Sequence, residues 1–225
     1  MGTLRSIPDP QLDEDAEVTN DDRVTAMVMA SGSSFEMFSA LIALVMAVLA
    51  IAGYFPIYLA AIATVAIGFA LLAQGGTVAA RWRKAARLAG SEHSEAMSAT
   101  TEMLGGAIAV ILGLLALVDV SPMSLLPAAA LVLGIAVLLG GPAQPDLVDA
   151  APTAAPLGGT RTRSAVRSSG GVMVIGGLLA IVLGVLAATG LAPVLPLTLI
   201  ALVCVAASLA VAGGSLFALF ARRLA

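Results

Sequence analysis

This chain of 225 residues is poor in the groups that do chemistry: one cysteine, one histidine, one tryptophan, 4% aromatic residues and only 11% charged residues. Each shortage excludes something. With Cys204 alone there is no intramolecular disulfide, and a free cysteine in an apolar run acts as a small hydrophobe. With His93 alone, in the polar stretch Gly90-Ser91-Glu92-His93-Ser94-Glu95, no apolar helix offers an imidazole to a haem. Glu92, His93 and Glu95 include competent ligand types, but one imidazole in a loop is a poor metal set, and no metal is expected. Walker, H-E-x-x-H, G-x-S-x-G and CxxC motifs are missing, which removes the motif routes to nucleotide, metalloprotease, hydrolase and redox chemistry. The sequence therefore predicts no catalytic residues, no cofactor and no enzyme. The eleven basic residues are too few and too scattered for a nucleic-acid patch, so nucleic acid is not an expected partner.

What the chain has is apolar length. Hydrophobic residues make up 60% of it and mean hydropathy is +1.03, whereas soluble domains carry roughly 25% charged residues. A bilayer core about 30 Å thick needs about twenty apolar residues per spanning helix. Six runs qualify, near 35–53, 55–74, 103–119, 122–140, 172–190 and 193–220. They are continuously apolar, unlike the alternating strands of a barrel. The expectation is an all-α polytopic membrane protein with six transmembrane helices arranged as three tandem helical hairpins. In the last run, Ala212-Gly213-Gly214-Ser215 marks a bend or the exit from the bilayer.

Aligning Pro56, Pro122 and Pro193 brings the three hairpins into register. Small residues then recur every fourth position in each first helix: Ser39, Ala43, Ala47; Gly105, Ala109, Gly113; Gly176, Ala180, Gly184. That spacing keeps them on one helical face. A small-residue face lets backbones approach where lipid removes the hydrophobic drive to associate, so these nine residues are the candidate packing sites. Pro56, Pro122 and Pro193 suit the first turn of each returning helix, where a missing N–H is harmless. Three hairpins entering from one side fit a pseudo-threefold bundle or a row equally well.

Basic residues set the expected orientation. The turns near 53–56, 118–122 and 189–193 hold no Lys or Arg, whereas Arg5, Arg23, Arg81, Arg83, Lys84, Arg87, Arg161, Arg163, Arg167, Arg222 and Arg223 all lie in the other connections and the termini. The positive-inside rule puts those turns outside and both termini in the cytoplasm. Residues 1–33 form an acidic tail, disordered over most of its length because it has little apolar surface to bury. No cleavable secretory signal is evident in it. The remaining parts are hairpin 1 (34–76), a basic amphipathic cytoplasmic segment (77–101), hairpin 2 (102–141), a flexible Pro/Ala/Gly linker (142–170), and hairpin 3 with the basic C-terminus (171–225).

In the amphipathic segment, Arg81, Trp82, Arg83, Lys84 and Arg87 suit an anionic cytoplasmic leaflet, with Trp82 at headgroup level, so a surface-lying membrane anchor is expected. The alternative is a docking site for another protein or for the acidic tail. Glu36 and Glu102 are expected at the cytoplasmic boundary, solvated or capping, with Ser33 and Glu36 at capping-box spacing. Gly171 and Val172 stand in the corresponding region of the third hairpin, which makes the acid a twofold feature. Asp119 is expected to cap the helix that begins at Pro122. Ser39, Thr64, Ser124, Thr198 and Ser208 are the hydroxyls that would line a pore.

The run Gly105-Gly106-Ala107-Ile108-Ala109-Val110-Ile111-Leu112-Gly113-Leu114-Leu115-Ala116 before Pro122, and Gly176-Gly177-Leu178-Leu179-Ala180-Ile181-Val182-Leu183-Gly184-Val185-Leu186-Ala187 before Pro193, resemble the short membrane repeat of HdeD-like acid-resistance proteins. The resemblance covers all three hairpins. It implies about six helices in tandem hairpins, a prokaryotic cytoplasmic (inner) membrane, and a link to stress tolerance, with no catalytic residues to carry over. The leading expectation is a non-enzymatic membrane protein, either a structural or accessory subunit of an assembly or an HdeD-like stress protein. Its expected partners are the lipid bilayer and other membrane subunits or itself. The alternative is a channel or transporter for a small neutral solute.

Overall fold

A computed structural model describes residues 34–89, 95–141 and 160–224, with side chains described over 34–76, 100–141 and 170–214. Among the described residues the fold is all helical, with no strand. Six helices follow in order: α1 (Ser34–Ile51), α2 (Pro56–Ala89), α3 (Glu95–Leu117), α4 (Pro122–Gly140), α5 (Thr160–Ala188) and α6 (Val194–Leu224). All six are long and apolar enough to cross a membrane. Their outward faces carry large hydrophobic side chains such as Ile42, Val45, Ile111, Leu178 and Val182. A continuous apolar surface of that kind belongs in lipid, since soluble monomers rarely expose one.

Helices adjacent in sequence pack together from α2 to α6. Beyond that, α2, α4 and α6 each touch the other two, and α1 lies on α6 through Met37 and Gly213. A row of hairpins would keep α2 away from α6. The returning helices therefore form the inside, with 44–50% of each span buried, against 33% for α1, α3 and α5. Ile67, Leu71, Leu126, Leu133, Leu202 and Leu209 fill the centre among many alanines.

The same turn closes α1, α3 and α5. After α1, Gly53 N–H donates to Ala50 O and Tyr54 N–H to Leu49 O, the paired bonds of a Schellman ending. After α3, Asp119 N–H donates to Ala116 O and Val120 N–H to Leu115 O. After α5, Gly190 N–H donates to Ala187 O. Gly53, Asp119 and Gly190 all have positive φ, at 95°, 63° and 68°. Asp119 is therefore the left-handed residue that ends α3, a role Asp tolerates better than most. The residue at the N-cap of α4 is Ser121, and the expectation that Asp119 caps that helix is corrected.

Two boundaries also move. The stretch expected as a separate surface helix is a direct continuation of α2, whose 34 residues run unbroken to Ala89, about 51 Å at 1.5 Å per residue. The side chains of Arg81, Trp82, Arg83, Lys84 and Arg87 lie outside the described residues. The expected linker is helical from Thr160 onward, where α5 begins. At the other end of the chain α6 runs without a break through Gly213 and Gly214. Ser33, His93, the acidic tail and residues 142–159 lie outside the described residues.

Candidate functional site

The packing faces come first, because they place everything else. Ser39, Ala43, Ala47, Gly105, Ala109, Gly113, Gly176, Ala180 and Gly184 are all buried. A Cβ on Gly105 would strike Ala136 of α4, and one on Gly176 would lie 2.8 Å from Ser208 Oγ of α6. One on Gly113 would lie 2.7 Å from Val65 of α2. A second line of small residues, beside the first, meets main chain directly. Gly106 meets Gly68 across α3 and α2, and Gly177 meets Gly134 across α5 and α4. In both pairs the neighbour is backbone, which no rotamer change relieves. Counting back from the aligned prolines, Ala40 is the residue in the position of Gly106 and Gly177, and it is fully buried. The four-residue spacing selects the first line. The second was visible only as the Gly-Gly pairs 105–106 and 176–177.

The hydroxyls proposed for a pore are turned elsewhere. Thr64 Oγ1 donates to Ala60 O at 2.8 Å, Thr198 Oγ1 to Val194 O at 2.8 Å and Ser208 Oγ to Val205 O at 2.8 Å. Each satisfies a carbonyl of its own helix, a common resting place for Ser and Thr in apolar surroundings. Ser124, exposed at the turn, donates to Ser121 O. Ser39 is buried in the packing face of α1.

The unexpected group lies at the end where α1 and α3 begin. Glu36 and Glu102 are each only 2% exposed, so the expectation of solvated or capping acids at the boundary is corrected. The reason is the neighbours. The last residue of α4, Gly140, presents no side chain, and a Cβ there would run into Glu102 Oε1. Gly213 of α6 leaves the matching space for Glu36, whose Cδ would lie 3.4 Å from an added Cβ. Glu102 occupies the room of a missing side chain on α4, while Gly213 lets α6 come close to the Met37 backbone beside Glu36. Among the described residues, Glu36 Oε1 and Glu102 Oε2 have no hydrogen-bond partner.

Gln74 and Met173 complete this end. Both are buried, and Gln74 Nε2 approaches Met173 Sδ at 3.9 Å. Met173 packs in turn near Gly141, directly after Gly140. Met173 stands twenty residues before Pro193, as Glu36 stands before Pro56 and Glu102 before Pro122. The residue matching the two acids is thus Met173, not Gly171 or Val172. Two carboxyls and a thioether hold the same repeat position of α1, α3 and α5, and the thioether meets an amide from α2. Among the described residues no set of three or more His, Cys, Asp or Glu side chains is placed to hold a metal ion. Cys204 is half-buried within α6, away from these groups in sequence.

Comparison with protein-family models, with curated proteins and with solved structures finds no match to this chain. The class that the fold defines is a six-helix, multi-pass membrane protein.

Proposed function

We propose that this chain is a non-enzymatic protein of a prokaryotic cytoplasmic membrane, with both termini in the cytoplasm, acting as a structural or accessory subunit of a membrane assembly or as an HdeD-like stress-tolerance protein. The observation that carries the reading is the interior itself. It is filled by alanine, leucine and glycine contacts, down to backbone against backbone at Gly68–Gly106 and Gly134–Gly177. Binding and catalytic sites want concave space lined by convergent polar groups. The hydroxyls of Thr64, Thr198 and Ser208 are instead spent on their own helices. The orientation rests on the distribution of basic residues, and the prokaryotic cytoplasmic membrane and the stress link rest on the sequence resemblance alone.

Purification of the full chain from native membranes in mild detergent tests this. A companion protein that copurifies reproducibly, and is lost when Gly106 or Gly177 is enlarged, supports the accessory role. Isolation of the chain alone, together with solute flux in liposomes that Thr64→Leu abolishes, overturns it in favour of a channel.

A further inference from the structure

We propose that the contact between α1 and α6 is the opening seam of the bundle, pinned at one end and free to part at the end of the connecting turns. In three places a returning helix packs on the first helix of another pair: α2 on α3, α4 on α5 and α6 on α1. In the first two, the helices are consecutive along the chain. α1 and α6 are the first and last of the six spans, so no short stretch of chain links them.

The glycines that close the first two seams are missing from the third. Gly106 and Gly113 of α3 lie against α2, and Gly177 and Gly184 of α5 lie against α4. At the same counts before the aligned prolines, α1 has Ala40 and Ala47, both fully buried. On the returning side, α6 begins at Val194, whereas α2 and α4 begin at their prolines, Pro56 and Pro122. Its buried residues follow that one-residue shift. Ala206 and Leu209 stand as far into α6 as Gly68 and Leu71 stand into α2, and Gly134 and Val137 into α4, and all six are buried. Alanine thus replaces glycine at all three places. A Cβ on Gly106 would lie only 2.7 Å from the Gly68 carbonyl oxygen, so methyl groups at these positions hold α1 and α6 further apart than glycines hold the other pairs.

The two ends of the seam differ. At one, Gly213 lies against Met37, whose nitrogen and Cα are 3.1 and 3.3 Å from where a Cβ would stand. At the other, a groove of about 160 Å³ lies between Ala50 and Ile51 of α1, Pro56 of α2, and Leu195, Pro196 and Leu199 of α6. The start of α6 is also loosely made there. Its first-turn bond from Leu197 N–H to Pro193 O is 3.4 Å, against 3.0 Å for Leu59 N–H to Phe55 O and 3.1 Å for Leu125 N–H to Ser121 O. The turn itself is one residue longer, since Gly190 leads to Val194 where Gly53 leads to Pro56 and Asp119 to Pro122. Every side chain lining the groove is apolar, so parting the seam admits acyl chains and opens no aqueous path. The seam parts or stays shut whatever the chain assembles with, so this inference and the proposed function fail separately.

Double electron–electron resonance on the full chain in lipid nanodiscs, in a Cys204→Ala background, tests the seam with pairs of nitroxide-labelled cysteines at exposed positions. Cysteines at Tyr54 and Leu191 report the turn end of the α1–α6 seam, those at Phe38 and Val211 its pinned end, and those at Val118 and Leu191 the turn end of the α4–α5 seam. The Tyr54–Leu191 pair should show a second, longer population, while each of the other pairs gives one narrow distribution. One narrow distribution for Tyr54–Leu191, or equal spreading of Phe38–Val211, overturns the proposal. Restoring glycine with Ala40→Gly and Ala206→Gly should shift the Tyr54–Leu191 populations toward the shorter distance. Unchanged populations in that double variant would overturn the part assigned to the alanines.

Discussion

Gly106 and Gly68 stand backbone to backbone: a Cβ on Gly106 would lie 2.7 Å from the Gly68 carbonyl oxygen, and a Cβ on Gly68 would lie 2.8 Å from the Gly106 carbonyl oxygen. Gly177 and Gly134 repeat the relationship between α5 and α4 at 2.7 and 2.9 Å. Alanine at Gly106 or Gly177 gains about 1 kcal/mol in helix propensity, but the overlap is with main chain, and overpacking of this kind costs about 1–3 kcal/mol. Gly106→Ala and Gly177→Ala should each lower the thermal unfolding midpoint in detergent. A midpoint equal to or above that of the parent would show that the helices separate without cost.

The three helix-ending turns differ at their left-handed position, and that difference is measurable. Asp119 holds a left-handed conformation that glycine holds at 53 and 190. A non-glycine residue there costs about 1–2 kcal/mol. Asp119→Gly should therefore be neutral or raise the unfolding midpoint, whereas Gly53→Ala should lower it. The opposite order would mean that the Asp119 carboxylate makes a contact worth more than the backbone strain.

Inside and outside should respond differently to truncation. Leu133 is fully buried between the inner helices, whereas Ile111 is 58% exposed on α3. Leu133→Ala leaves a cavity and should cost about 2–5 kcal/mol. Ile111→Ala exchanges contacts with lipid or detergent and should change stability far less. Equal losses in chemical denaturation would place Ile111 in a protein contact, which is a measure of self-association.

Topology has a direct test because the chain has so little cysteine. In a Cys204→Ala background, cysteine at Leu191, 81% exposed at the turn between α5 and α6, should react with a membrane-impermeant maleimide on intact cells. Labelling only after permeabilisation would reverse the proposed orientation and the positive-inside reading behind it.

Much of the bundle could be seen along the chain. Six apolar runs, three prolines at the returning helices and the stripe Gly105, Ala109, Gly113 with its two relatives follow from lipid thickness and helical periodicity, both of which act locally. The turns were visible for the same reason, although Asp119 read as a cap because its neighbour Pro122 suggested one. Periodicity could not say which of two adjacent small faces meets which neighbour. Gly106 and Gly177 belong to that second choice, decided by α2 and α4 passing beside them.

The acids mark the limit. One glutamate near the start of an apolar helix reads as a boundary residue, and nothing within Ser34–Ile51 or Thr100–Leu117 says otherwise. Glu36 and Glu102 are packed against Gly213 and Gly140, more than 170 and nearly 40 residues away, each presenting backbone without a side chain. Sequence by itself determined that the chain is a helical membrane protein, because the hydrophobic requirement of a span is written residue by residue. Only the tertiary structure decided that α2, α4 and α6 form the interior and that two carboxyls are enclosed at one end, because enclosure is a property of neighbouring helices and not of the helix that carries the acid.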